Sequence, residues 1–326
     1  MRQGSAFAAE HDDFIHDVAY DHYGKRLATA SADHKVKVWS ETTSGEWQCD
    51  GELGSHSAAV YKLAWAHPEF GQVLASCSFD QSVRIWEALD NPSVVIDDVE
   101  ADATGSERQR PTERLVSWEC AHEIQNKRVE VNDLQFAPRH FGLSLATCAS
   151  DGKVSIFTAD DVMNLKSWRV SDSFAVAKSG AEATCLSWNP SRFESQMLVV
   201  GCASKSVSVW AKNQDARRWD RVVDFPTDAD PNDVSWAPNL GRSYHLIAVA
   251  NGNKVDIWRL MWSAEKNSYC EFKRDAELMS NTEVWRCEWN ITGTVLATSG
   301  DSGTITLWRK NFQNQWNRIA EESLAA

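Results

Sequence analysis

The chain predicts an all-β fold of six repeated four-strand units, and three observations predict it. First, a short alternating strand ends in an aromatic six times: KVKVW at Trp39, SVRIW at Trp86, KVSIF at Phe157, SVSVW at Trp210, KVDIW at Trp258 and TITLW at Trp308. Their spacings are 47, 71, 53, 48 and 50 residues. Second, another aromatic precedes a chain turn in every unit: Tyr20, Trp65, Phe136, Trp188, Trp236 and Trp289. Third, a run of small residues lies between these two slots each time. Self-similarity at such a period is the mark of stacked repeats.

Each unit reads in the same order. The inner strand ends at the aromatic before the turn. The second strand is the small-residue run: LATASAD, LASCSFD, LATCASD, LVVGCAS, IAVANGN and LATSGDS. The third is the aromatic-terminated run, whose apolar and polar residues alternate with period 2. Its β-branched and aromatic content suits a pleated, half-buried surface. The fourth strand is short and mostly polar, around Trp47, Trp118, Trp168, Trp219 and Trp316, with Tyr269 and Phe272 in unit five. Gly, Asn, Asp and Pro fall between the runs, where turns need them. Four strands per unit, repeated six times, predict a six-bladed β-propeller. The expected blades are 10–53, 54–121, 122–176, 177–227, 228–278 and 279–322, in one propeller over 1–326. Residues 97–114, charged and poor in aromatics, are expected to be a mobile insertion between the third and fourth strands of unit two.

Repeats override the prior of about two domains that the length would suggest. With 43% hydrophobic residues the chain can bury a sizeable core. No apolar run of about 18 residues occurs, so no transmembrane span is expected. The N-terminal MRQGSAFAAEHDD lacks an apolar stretch, so no secretory signal is expected. The net charge of −13 disfavours direct nucleic-acid binding, which needs the opposite sign. The Cys residues read as small hydrophobes: Cys77, Cys148 and Cys202 share one place in the second strands, and Cys185 and Cys287 lie in inner strands. No Cys/His spacing suggests a metal, and a reducing cytosolic or nuclear compartment is expected.

The units resemble WD repeats through particular residues. Unit one has His11, Asp33 and Trp39; unit two has His56, Asp80 and Trp86. A second-strand hydroxyl, Thr29 or Ser31 in one and Ser76 or Ser78 in the other, would complete a hydrogen-bonded set, because a buried indole N–H and a buried carboxylate both need partners. Unit three keeps Asp151, with His122 as its candidate histidine, but ends in Phe157, which cannot donate. Units four and five have Ser204 and Gly252 where the Asp should be, and unit six has Asp301 one place early. The second half of the chain is therefore expected to rely mainly on packing.

No catalytic arrangement emerges. Asp12–Asp13, Asp97–Asp98 and Asp160–Asp161 are adjacent pairs in predicted turns, unlike acid/base pairs placed across a cleft. Neither G-x-S-x-G nor a phosphate-binding loop occurs. The chain is read as a non-enzyme with no cofactor and no metal. The repeated tryptophans are read as core.

The ends of the chain suggest a site. Few residues precede His11, while QWNRIAE after Trp308 supplies unit six with its own outer strand. A ring whose blades are all self-contained can stay open and expose apolar faces of its first and last blades, which marks a protein–protein site. A partner could cover them with a donated blade. The expected border residues are Phe14, Ile15, Val18 and Tyr20 in blade one and Val295, Leu296, Ile305 and Leu307 in blade six.

Longer strings carry a closer resemblance. Phe14–Asp17, WAHPEFGQVLASCSFD (65–80), FAPRHFGLSLATCASDG (136–152), DVMNL (161–165), APNLGRSYHLIAVA (237–250) and VWRCEWNITGTVLATSGD (284–301) resemble the Seh/Sec-type open propellers of nucleoporins. The resemblance implies an open six-bladed propeller completed in trans by a blade from an α-solenoid nucleoporin. It implies a structural scaffold role, with other subunits, in the Y complex of the nuclear pore outer ring, serving transport of protein and mRNA at the nuclear envelope. It also implies a place in the SEA/GATOR complex that regulates TOR signalling at the lysosomal or vacuolar surface, as a peripheral subunit. The alternatives are a peptide-reading WD-repeat adaptor and a vesicle outer-coat propeller. Residues 97–114 fall outside the resemblance.

Overall fold

The computed structural model describes residues 7–42, 45–54, 56–90, 116–125, 129–177, 180–263 and 268–323. Among the described residues, twenty-four strands form six four-stranded antiparallel sheets, each from four consecutive strands, and the fold is a six-bladed β-propeller. The expected insertion at 97–114 lies outside the described residues.

The blades fall into two compact units. The first unit holds blades one and two. Blade one is β1 (Ile15–Tyr20), β2 (Arg26–Ser31), β3 (Val36–Glu41) and β4 (Trp47–Leu53). Blade two is β5 (Val60–Trp65), β6 (Val73–Ser78), β7 (Ser82–Asp90) and β8 (Val116–Gln125). Ala28, Ala30, Val36 and Val38 pack against Val60, Leu63 and Leu74.

The second unit holds blades three to six. Blade three is β9 (Val131–Phe136), β10 (Ser144–Ala149), β11 (Lys153–Ala159) and β12 (Trp168–Ala175). Blade four is β13 (Ala183–Trp188), β14 (Met197–Cys202), β15 (Ser206–Asn213) and β16 (Arg218–Pro226). Blade five is β17 (Pro231–Trp236), β18 (Tyr244–Asn251), β19 (Lys254–Ser263) and β20 (Ser268–Met279). Blade six is β21 (Val284–Trp289), β22 (Val295–Gly300), β23 (Thr304–Lys310) and β24 (Trp316–Ser323). Three apolar layers run between these blades: Ala146 and Val154 meet Leu186 and Leu198, Val199 and Val207 meet Val234 and Ile247, and Ala248 and Ile257 meet Cys287 and Leu296.

Second strands sit between blades, which explains their small residues. β6, β10 and β14 are buried from end to end. Gly201 shows the constraint: a Cβ there would crowd Cys185 and Pro231 of the inner strands beside it. In all six blades the pairing of the third and fourth strands slips by one residue just before the strand-ending aromatic, at Trp39, Trp86, Phe157, Trp210, Trp258 and Trp308. Such a bulge sharpens the local twist of the blade.

One expected boundary moves. β8 continues through Gln125, paired with Ser82, so His122 lies in the outer strand of blade two. It therefore cannot serve as the histidine of unit three. The strand runs past Trp118 because residues 119–125 pair with β7 from Glu87 back to Ser82.

Candidate functional site

The polar sets of blades one and two form as complete chains of hydrogen bonds. Trp39 Nε1 donates to Thr29 Oγ1 at 3.1 Å, His11 Nε2 lies 2.8 Å from that hydroxyl, and His11 Nδ1 lies 2.8 Å from Asp33 Oδ2. In blade two the corresponding distances are 2.9 Å for Trp86 to Ser76, 2.8 Å for Ser76 to His56 and 2.8 Å for His56 to Asp80. The carboxylate only accepts, so Nδ1 carries the imidazole proton and Nε2 accepts from the hydroxyl. Thr29 and Ser76 are thus the hydroxyls of the sets. Ser31 and Ser78 do another job, each accepting from the N–H of the turn Asp two residues on.

These sets are electrostatically settled. Burial opposes ionisation of Asp80, but bonds from Ser82, His56 and the Ser57 N–H outweigh it and hold the carboxyl at about 2. The same balance, with His11 as the main partner, lowers Asp33. Burial pushes the His56 imidazole below its ordinary value, against the pull of Asp80. Groups pinned this way join loop to sheet.

Later blades replace the set. Asp151 accepts from the N–H of Lys153 at 3.1 Å and from its ammonium at 2.9 Å. Trp210 donates to Ser208 on its own strand at 2.8 Å. In blade five Lys254 takes over, bonded to Asp228 and Glu277, beside the fully buried Asp256. There Trp258 Nε1 has no acceptor among the described residues, and the Arg274 guanidinium lies 5.1 Å from the ring centroid. In blade six Trp308 still donates to Thr298 at 3.0 Å, while Asp301 accepts from Trp285 at 2.6 Å.

A second pattern ties blades in pairs, and sequence reasoning missed it. Asp17 Oδ2 accepts from the N–H of Leu63 at 2.9 Å, Asp133 Oδ2 from Leu186 at 2.8 Å, and Asp233 Oδ2 from Cys287 at 2.9 Å. Each carboxylate leaves the third position of an odd-numbered inner strand and meets the next blade just past a bulge. In return Trp65, Trp188 and Trp289 donate to the carbonyls of Ala19, Gln135 and Ser235 at 2.9, 3.1 and 3.1 Å. The readable signal was the Asp at 17, 133 and 233 against Lys62, Cys185 and Arg286 in the even blades.

The candidate binding face is set by what is left uncovered. In blades two to six the first and fourth residues of the inner strand are buried, as in the pairs Val60 with Leu63 and Ala183 with Leu186. In β1 the same positions are Ile15 and Val18, 42% and 51% exposed. Phe14 before them is 81% exposed and Tyr20 after them 58%. In blade six Ile305 is exposed, and Val295 and Leu307 are half-buried. Leu296 must be removed from the expected face. It is fully buried in the layer against blade five, because neighbours on a strand point to opposite sides. Phe7 packs on Trp39 and Trp47, with ring centroids 5.0 and 5.9 Å away.

No group of three His, Cys, Asp or Glu able to hold a metal ion occurs among the described residues. Cys77, Cys148, Cys185, Cys202 and Cys287 are buried in the sheets, and none of them joins a disulfide among the described residues.

Known proteins place this geometry. The WD domain, G-beta repeat model matches residues 6–40, 47–87 and 274–309, the stretches around blades one, two and six. A chain in a solved structure described as "Crystal Structure of Mitotic Checkpoint Complex" matches with a TM-score of 0.64 over 92% of this chain and 76% of its own. At 18% identity that is a likeness of fold alone. Nucleoporin SEH1 of Osmerus mordax is 40% identical over 326 residues, covering 95% of this chain and 84% of that protein. Nucleoporin SEH1 of Xenopus tropicalis is 39% identical, covering 96% and 86%, and that of Homo sapiens is 39% identical, covering 95% and 86%. This identity, over nearly the whole of a chain with WD-repeat hydrogen-bond sets, shows that it belongs to the Nucleoporin SEH1 family of WD-repeat β-propellers.

Proposed function

We propose that this chain is a non-enzymatic scaffold subunit of the nuclear pore complex, built into the Y complex of its outer ring and serving protein and mRNA transport at the nuclear envelope. Its six blades act as one propeller, completed in trans by a blade from an α-solenoid nucleoporin. That blade covers β1 through Phe14, Ile15, Val18 and Tyr20, and the Val295, Ile305 and Leu307 face of blade six. The observation that carries the reading is the exposure of Ile15 and Val18 where every other inner strand buries the equivalent pair. Relatives bearing the nucleoporin name support it. The same face serves a second assembly of the SEA/GATOR kind, regulating TOR signalling at the lysosomal or vacuolar surface.

The test is tagged purification in high salt, followed by mass spectrometry. Apolar burial and strand pairing survive salt that screens exposed charges. Recovery of α-solenoid nucleoporins, lost in Val18→Asp, supports the scaffold reading. TOR-pathway subunits lost in the same variant support the second assembly. Vesicle-coat solenoids in their place, or a chain that elutes alone or with short peptides only, would overturn the reading for the coat or adaptor alternative.

A further inference from the structure

In the second unit, the loops joining first to second strands are 137–143, 189–196, 237–243 and 290–294. Contacts link them in order, the middle one through His245 of β18. The Ser191 backbone lies against the His140 ring and favours its charged form, though burial outweighs this and lowers the imidazole. Glu194 bonds His245 at 3.0 Å, just beyond the third loop. Arg242 donates to the Gly293 carbonyl and to that of Pro238, both at 2.6 Å. Gly293, at φ 62°, lies so close to Pro238 that a Cβ would collide with its carbonyl. The four loops therefore make one continuous ledge.

The ledge presents apolar side chains to water. Phe193 is 94% exposed, Ile291 90% and Leu240 68%. None is needed for packing at that exposure. The charge around them runs against the rest of the molecule. The loops contain Arg139, His140, Arg192 and Arg242, and Glu194 is their single acid, in a chain of net charge −13. Glu194 is turned inward onto His245 and Asn189. Arg242 is spent on carbonyl oxygens, and neither it nor Arg192 joins an ion pair among the described residues.

We propose that this ledge is a docking surface for an acidic, apolar-bearing peptide segment of a partner protein. Phe193, Leu240 and Ile291 bury the apolar side chains of the segment, and Arg192 meets its carboxylates. A narrow segment feels the local basic charge, because fields are screened beyond about 8 Å at physiological salt. A broad anionic membrane would also meet the net negative charge of the whole chain, which favours the peptide. The proposal is independent of the β1 face.

A random peptide display library selected on the full chain tests it. The expected result is enrichment of peptides combining Asp or Glu with Leu or Phe. Their affinity should fall at least about tenfold, or about 1.4 kcal/mol, in Arg192→Glu/Phe193→Ser, with thermal stability unchanged. Val18→Asp should bind these peptides normally, separating this surface from the β1 face. Three results would each overturn the proposal: no enriched class, enriched peptides that bind the double variant equally, or binding to phosphatidylserine vesicles that depends on Phe193 while peptides do not bind.

Discussion

The Asp133 carboxylate reaches from one blade into the next and accepts the main-chain N–H of Leu186 at 2.8 Å. Asp133 is buried, and its other oxygen accepts from the N–H of Leu134. The bond occupies an inner-strand amide just past the slip in register between Ala183 and Cys185. Asp133→Ala should therefore cost about 1–3 kcal/mol, the cost of a buried N–H left unsatisfied. Chemical denaturation with an unchanged denaturant slope checks this, and Asp233→Ala should behave alike through Cys287.

Acid should weaken the chain through His56 first. Its folded value lies below its ordinary value, so the unfolded chain binds the proton more readily and stability falls as pH drops below about 6.5. Asp80, held at about 2, adds a second loss as pH falls from its ordinary value toward 2, on the order of 2 kcal/mol in all. Urea midpoints against pH, compared between the native chain and His56→Gln, should show the first loss only in the native chain.

Tyr269 should titrate late. Burial, then the bond to Glu194 and its charge, push the phenol up to about 12. A raised value favours the neutral phenol, so its stabilisation is complete below pH 10 and lost as pH rises toward 12. Among the five tyrosines, its NMR resonance should move at high pH, and in Glu194→Gln it should move earlier.

The β1 face should separate folding from binding. Val18→Asp places a charge where the side chain is 51% exposed, so the denaturation midpoint should change little. Leu63→Asp puts the same charge at the equivalent, buried position of blade two and should cost more than about 3 kcal/mol, or prevent folding. Partner recovery in high salt should be lost with Val18→Asp while its thermal midpoint is retained.

Much of this architecture was readable because it is local. Alternation in KVKVW and SVRIW, small residues in LATASAD, and Gly and Asp at the turns all act over a few residues. They brought six blades and the His–Asp–Trp sets within reach of the sequence alone. Period 2 would also have kept Leu296 off the face that Val295 occupies.

Tertiary structure decided the rest, since it depends on register and on neighbours distant in the chain. Thr29 and Ser31 lie on one side of β2, and only pairing of Thr29 with Lys37 brings Trp39 to the first of them. His122 belongs to blade two because Gln125 pairs with Ser82. The bond from Asp133 to Leu186 spans 53 residues, and the exposed Phe193, Leu240 and Ile291 come from three loops well apart in the chain. Such contacts form where folded sheets approach one another, and nothing in a local window encodes that approach.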